Sequence, residues 1–279
     1  MRFHSLFSAT AIAASLLLFA CGKADNAPAK TTDNSAAQSA AAKDYRILLQ
    51  KIADGVWVHT STYIFPGGNI VPSNGLVVED GEGLILIDTA WGELATQALL
   101  EKLKTETDKD VTKLVITHHH YDRLAGVDLL ERKGVTVFTH PDTPALSAAK
   151  NTPIPDTSVA ALKAPGSRTK SGPIEIAYPG PGHSSDNLIV YVPEAKILFG
   201  GGFIRGKDQS SLGNVTDADM KAWTQSLRWA LKTYGEARLV VPGHGQGADI
   251  SLATNTLALL AKTINAEADT AQAQDKTEK

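Results

Sequence analysis

The chain has 279 residues, 43% of them apolar and 20% charged, enough for one large domain or two small ones with a real core. Its formal net charge of -3 has the wrong sign for a surface that tracks phosphates, so nucleic-acid binding has no electrostatic support. The only cysteine, Cys21, excludes an intramolecular disulfide and leaves the folded part without a thiolate for a metal.

The chain opens on a short basic start, Arg2, followed by an apolar run of 15 residues, Leu6 to Ala20. That run is short for a bilayer span and suited to a signal peptide. Leu18-Phe19-Ala20-Cys21 resembles a bacterial lipobox, in which the cysteine after a small residue is acylated and becomes the mature N-terminus. Phe19 is not the commonest residue in such a motif, and an ordinary secreted protein is the alternative. Residues 1–21 are therefore read as a signal peptide with a lipobox. The resulting expectation is a periplasmic protein, held at the outer membrane by a lipid anchor on Cys21. Residues 22–43 are Ala, Lys, Asp, Asn, Ser, Thr and Gln with almost nothing to bury, a flexible linker. The working domain is expected over 44–266, with a polar tail over 267–279.

Within the domain, "VWVHTS", "NGLVVED" and "GLILIDTA" are short β-rich runs, the last two joined by a Gly-containing hairpin turn. A helical pattern follows over Leu94 to Thr105. "KLVITHHH" is an apolar strand running directly into histidines, and "RLAGVDLLERKG" reads as one helix closed by Gly134 before the strand "VTVFTH". The second half repeats the rhythm: "IEIAYPGPGH", "NLIVYVPEAKILFGGG", a helix from Asp217 to Thr233, the strand "ARLVVPGHG" and a last helix from about Ser251 to Ala266. Two similar β-then-α halves suggest two sheets face to face with helices outside, while a doubly wound open sheet fits the same pattern.

The chemistry-bearing residues fall at strand ends, where side chains are held rigidly yet stay accessible. Asp88 ends "LILID", His118 to Asp122 follow "LVIT", His183 follows "IEIAYPGPG" and His244 follows "LVVPG". Imidazole suits zinc, and three ring nitrogens with an open fourth position make a catalytic site rather than a structural one. In an extended segment His118 and His120 share a face, and Asp122 continues it. His183 from a distant loop completes a first zinc, while Asp122 and His244 point to a second. His119 is expected to face away. His59 and His140 are read as ordinary strand or loop residues, and His4 lies in the signal segment.

"HHHYDR" matches the H-x-H-x-D pattern of the metallo-β-lactamase superfamily, and "IDTAW", "PGPGHSSDN", "FGGGFIR", "SLGN" and "VVPGHG" resemble its successive motifs, in order, over about Asp54 to Ala266. The broad-spectrum, di-zinc subclass is the nearest likeness. The resemblance implies an αββα sandwich (α+β class) with metals in a groove at one edge of the paired sheets. It implies His118, His120 and His183 as ligands of one zinc, and Asp122 and His244 as ligands of another. Asp88 resembles the buried aspartate that orients the ligands from behind. Arg205 stands where a lysine usually meets the substrate carboxylate, and Asn214 resembles the asparagine near the lactam carbonyl. "YIFPGGN" resembles the mobile hairpin that closes over substrate, with Tyr63, Ile64 and Phe65 as apolar contacts.

The pattern breaks at one place. The subclass has a cysteine ligand of its second zinc at the fifth position of the stretch reading "LFGGGFIR", which is Gly202 here. Other subclasses supply a histidine directly after the aspartate, where this chain has Arg123. The resemblance thus implies one tightly held Zn2+ and a weaker second. It also implies a monomer that opens the β-lactam amide of penicillins and cephalosporins, with carbapenems a further class, by metal-bound hydroxide. Asp122 would relay the proton and Asn214 would steady the oxyanion. The rival readings are another hydrolase of the superfamily, a thioesterase or a lactonase, and a non-catalytic surface lipoprotein with a degenerate metal site. The thioesterases and lactonases typically carry H-x-H-x-D-H, which Arg123 interrupts.

Overall fold

In the computed structural model the described residues are 46–277. The signal peptide, the Cys21 anchor and the linker expected over 22–43 lie outside them. Eleven strands form two sheets among the described residues. The first has six, in spatial order β1 (Leu48–Ala53), β2 (Val56–Ile64), β3 (Ile70–Asp80), β4 (Gly83–Ile87), β5 (Asp110–Val115) and β6 (Thr136–Phe138). The second runs β11 (Leu239–Pro242), β10 (Ile197–Gly201), β9 (Ile189–Val192), β8 (Ile174–Tyr178) and β7 (Ser167–Ser171). Helices α1 (Glu93–Thr107), α2 (Tyr121–Leu124), α3 (Val127–Arg132) and α4 (Thr143–Lys150) belong to the first half; α5 (Met220–Tyr234) and α6 (Ser251–Thr277) belong to the second.

The strand sequences explain the layering. β4 is apolar at every position after its glycine and buried throughout, because both of its faces are covered. Side chains alternate along a strand, so Ile85 and Ile87 enter the core shared by the two sheets, with Leu76, Val190 and Phe199. Leu84 and Leu86 face the other way, onto Leu99 and Leu103 of α1 and Leu130 of α3. On the far side Ile189, Leu198 and Val240 meet Trp223 and Leu227 of α5 and Leu252 and Leu260 of α6. Two sheets back to back between helices make the αββα sandwich, and the open-sheet alternative is excluded.

Several boundaries differ from the sequence expectation. The helix expected over "RLAGVDLLERKG" is two short helices, because the Gly126 N–H donates to Thr89 Oγ1 at 3.0 Å instead of joining one continuous ladder. α5 begins at Met220 rather than Asp217, capped by Asp219, whose carboxylate accepts the Ala222 N–H at 2.9 Å. The polar tail expected from residue 267 is helical to Thr277, as a continuation of α6. Its alanine-rich sequence needs no apolar stripe to prolong a helix already nucleated by packing. β1, β7 and α4 carry no expectation at all; β1 and β7 are edge strands, whose polar outer faces blur the alternation.

Candidate metal centre and active site

β4 and β5 run parallel in one sheet, and β8, β10 and β11 run alike in the other; the two sets end beside one another, where the Asn74 N–H of β3 donates to the Gly243 carbonyl beyond β11 at 2.8 Å. The loops beyond them hold Asp88, His118 to Asp122, His183, Gly202 to Arg205 and His244. They surround a cavity of about 520 Å³ lined by His118, His120, Asp122, His183, His244, Gly202, Arg205 and Asn214 among others.

His118 Nε2 and His183 Nε2 each lie 3.1 Å from His120 Nδ1. The outer partners of His120 and His118 fix the protons of those two rings. His120 Nε2 lies 3.0 Å from Asp217 Oδ2, an acceptor, so the proton sits on Nε2 and the Nδ1 lone pair faces the cluster. Thr117 Oγ1 donates to Asp88 Oδ2 at 2.8 Å and can therefore only accept from His118 Nδ1, 3.2 Å away, which leaves the His118 Nε2 lone pair facing inward as well. Burial, reinforced by neighbouring imidazoles, holds His118 well below the usual histidine range and His183 down to about 3; His120 is lowered mainly by burial. The lone pairs that His118 Nε2 and His120 Nδ1 turn to each other at 3.1 Å repel unless a cation stands between them. The donor set thus fits a divalent metal with nitrogen ligands, and these three residues form a metal-capable group.

The expectation that His118, His120 and Asp122 share one extended face holds for the two rings and fails for the carboxylate. β5 ends at Val115 and the histidines lie in bends; Asp122 is delivered by the first turn of α2, for which His120 is the N-cap. Its Oδ2 lies 2.5 Å from Arg123 Nη2 and 3.0 Å from His244 Nε2. Burial alone would raise the Asp122 carboxyl, but the charge of Arg123 and the His244 contact hold it well below the usual carboxylate range.

Behind the ligands, Asp88 is fully buried at a positive φ of 59° and accepts the Thr117 N–H at 2.7 Å, which ties the end of β4 to the histidine loop. Burial pushes its carboxyl up to about 6 against the pull of Arg123 and Thr117. His119 faces away only in part: Nδ1 lies 3.0 Å from Oδ1 of Asp186, which also takes hydrogen bonds from Ser184 and Thr143, while the ring lines the cavity with Nε2 3.8 Å from Asp217 Oδ2. His59 and His140 are buried, His59 against the Asp88 carbonyl and His140 against the Tyr178 ring.

Gly202 lies against the rings: a Cβ there would come within 2.8 Å of His183 Nε2 and 3.0 Å of His118 Cε1. Arg205 lines the cavity with its Nε donating to the Ser211 carbonyl at 3.1 Å and Nη2 to Gln209 Oε1 at 2.9 Å, so part of its donor set is held by its own loop. Asn214 Oδ1 accepts from the Thr216 N–H and hydroxyl at 3.1 and 2.8 Å, which leaves its Nδ2 hydrogens as the available group. Tyr63 stacks on Trp91 at 5.1 Å and Phe65 meets the same indole edge-on at 5.9 Å. Ile64 is the correction among the hairpin residues: alternation along the strand end turns it outward, 64% exposed and off the cavity lining.

Sequence reasoning assigned no role to Trp91, Tyr121, Lys150 or Asp217, all of which line the cavity. Trp91 stands inside the quoted "IDTAW", and Tyr121 between His120 and Asp122, so both were within reach of the motifs. Asp217 lies 97 residues from His120, with no spacing to announce the contact.

A neutral three-imidazole cluster where parallel strands end in an αββα sandwich defines a metal-binding protein of that architecture. The sequence matches the model of the Metallo-beta-lactamase superfamily over residues 68–244, and the chain belongs to that superfamily. It is 39% identical over 218 residues to a Bacillus cereus protein named Metallo-beta-lactamase type 2, covering 77% of this chain and 82% of that one. A protein of the same name from Bacteroides fragilis is 32% identical over 213 residues, 75% of this chain and 84% of the other. Among solved structures, the metallo-β-lactamase FIM-1 from Pseudomonas aeruginosa in a mono-zinc form superposes with a TM-score of 0.74 at 34% identity, covering 78% of this chain and 96% of that chain.

Proposed function

We propose that this protein is a zinc hydrolase that opens the β-lactam amide of antibiotics. The observation that carries the reading is the convergence of His118 Nε2, His120 Nδ1 and His183 Nε2 in one cavity with Asp122, Arg205 and Asn214. Membership of the superfamily and likeness to proteins named as metallo-β-lactamases support the substrate class.

The three histidines would hold one zinc ion, which when bound supplies Lewis acidity and makes water acidic enough to react near neutral pH. Asp122 Oδ2 is committed to Arg123 and His244, so Oδ1 is the oxygen that orients the attacking water, accepts its proton and passes it to the departing ring nitrogen. Asn214 Nδ2 donates to the lactam carbonyl oxygen as negative charge builds on it. Arg205 holds the substrate carboxylate with the donors its loop leaves free, and Tyr63 and Phe65 cover the apolar part of the substrate. Gly202 stands where the motif that "LFGGGFIR" resembles has a cysteine, so a second ion would be bound more weakly than the first. A covalent serine route has no support: Ser147–Lys150 and Ser167–Lys170 fit the Ser-x-x-Lys spacing, but both serine hydroxyls are buried and neither lines the cavity. The lipobox-like segment supports a periplasmic protein anchored through Cys21, and a cavity complete within a single chain supports action as a monomer.

The test is a panel of a chromogenic cephalosporin, a penicillin, a carbapenem, a thioester and a lactone, each with zinc present. The β-lactams should turn over and the thioester and lactone should lag by about two orders of magnitude or more in kcat/KM, a difference of at least about 2.7 kcal/mol in transition-state binding. Preference for the thioester or lactone, or turnover of none of the five by zinc-loaded protein, contradicts the proposal.

A further inference from the structure

We propose that this centre works with a single divalent cation, the Arg123 guanidinium supplying in place of a second ion the positive charge that holds Asp122 and His244 together. The proposal rests on the assignment of the three-histidine site above.

Arg123 is wholly buried, and its Nη2 lies 2.5 Å from Asp122 Oδ2 and 3.0 Å from His244 Nε2. His244 Nδ1 lies 2.7 Å from the Pro72 carbonyl, and its Nε2 stands between Asp122 Oδ2 and the guanidinium, 3.0 Å from each. The two groups that a second ion would need are therefore already in contact with a cation. That cation does not leave: Nη1 donates to the Asn74 carbonyl at 2.8 Å and faces Asp88 Oδ2 at 3.3 Å, and Nη2 donates to the Gly243 carbonyl at 3.1 Å. A guanidinium keeps its charge at any working pH.

The third donor is also missing. Gly202 brings no side chain, and a side chain there would be admitted only by a shift of the His183 ring. Two protein donors beside a fixed positive charge fall short of the three or four that zinc takes, and a dication placed there would meet the guanidinium across a poorly screened gap. The residues do not fit a second ion. Arg123 has no exposed surface and does not line the cavity; it is a positioning residue that keeps Asp122 aimed at the cavity.

Metal stoichiometry of the purified protein tests this, read by equilibrium dialysis against rising zinc with elemental analysis, alongside Arg123→Gln and Gly202→Cys. Wild type should hold one ion per chain up to a zinc concentration about a hundredfold above the one that half-fills the first site. Arg123→Gln uncovers the two donors and Gly202→Cys adds a thiolate, so each should bind a second ion at least about tenfold more tightly than wild type does. Cobalt-loaded Gly202→Cys should in addition show a thiolate charge-transfer band that wild type lacks. Two ions bound by wild type with similar affinity overturn the proposal whether or not Arg123→Gln folds. Folded variants with second-site binding unchanged overturn it as well. One ion bound without β-lactam turnover contradicts the proposed function alone, and turnover with two ions contradicts this inference alone.

Discussion

His120 shows how much chemistry one side chain carries here. Its Nδ1 faces the rings of His118 and His183, and its Nε2 reaches Asp217, which Lys150 neutralises at 2.7 Å. Ligand and orienting carboxylate were not equally legible: "HHHYDR" announces the histidines, whereas Asp217 sits in "TDAD" with nothing to mark it. A buried histidine outside the centre gives a test free of metal chemistry. Burial lowers His59 to about 4 from its ordinary 6.5. Above pH about 6.5 the ring is neutral in the folded and unfolded chain alike; between about 6.5 and 4 only the unfolded chain takes up the proton, so stability falls as pH falls. The full loss is on the order of 3 kcal/mol. Urea unfolding of chelator-treated protein across that window should show His59→Gln with an acid slope shallower by one proton, and equal slopes in the two proteins contradict the assignment.

At the scale of elements, the active cavity depends on what the β2–β3 hairpin places over it. Tyr63 and Phe65 pack on Trp91 beside the histidine loop while Ile64 points to solvent. Tyr63→Ala should raise KM for β-lactams severalfold with kcat little changed, since it removes binding surface and no reacting group. Ile64→Ala should stay within about twofold of wild type in kcat/KM, under 0.5 kcal/mol. Steady-state kinetics decide: an Ile64→Ala defect as large as that of Tyr63→Ala contradicts the orientation described. This was half-legible in the sequence, because "YIFPGGN" marks a hairpin, but which of three adjacent apolar residues faces inward depends on register. The same limit explains the break between α2 and α3, where periodicity reads one helix and the Thr89 hydroxyl intercepts the Gly126 N–H.

For the molecule as a whole, the sandwich follows from strands apolar on both faces, as β4 is, and from two β-then-α halves, all readable in the chain. What the sequence left open was the competition between an open sheet and two stacked ones. That depends on Ile85, Val190 and Phe199 meeting across a shared core, a contact no local pattern carries. Stacking the sheets brings loops from both halves to one end, and only that arrangement lets His183 join His118 and His120. The central claim is that this convergence binds the ion on which catalysis depends. Its most direct measurement is β-lactam turnover and zinc content followed together as a chelator strips the folded protein and zinc is returned. Turnover should fall and recover in proportion to the first ion bound per chain. Folded, reconstituted protein that holds no transition metal, or turnover that survives complete stripping, contradicts the account.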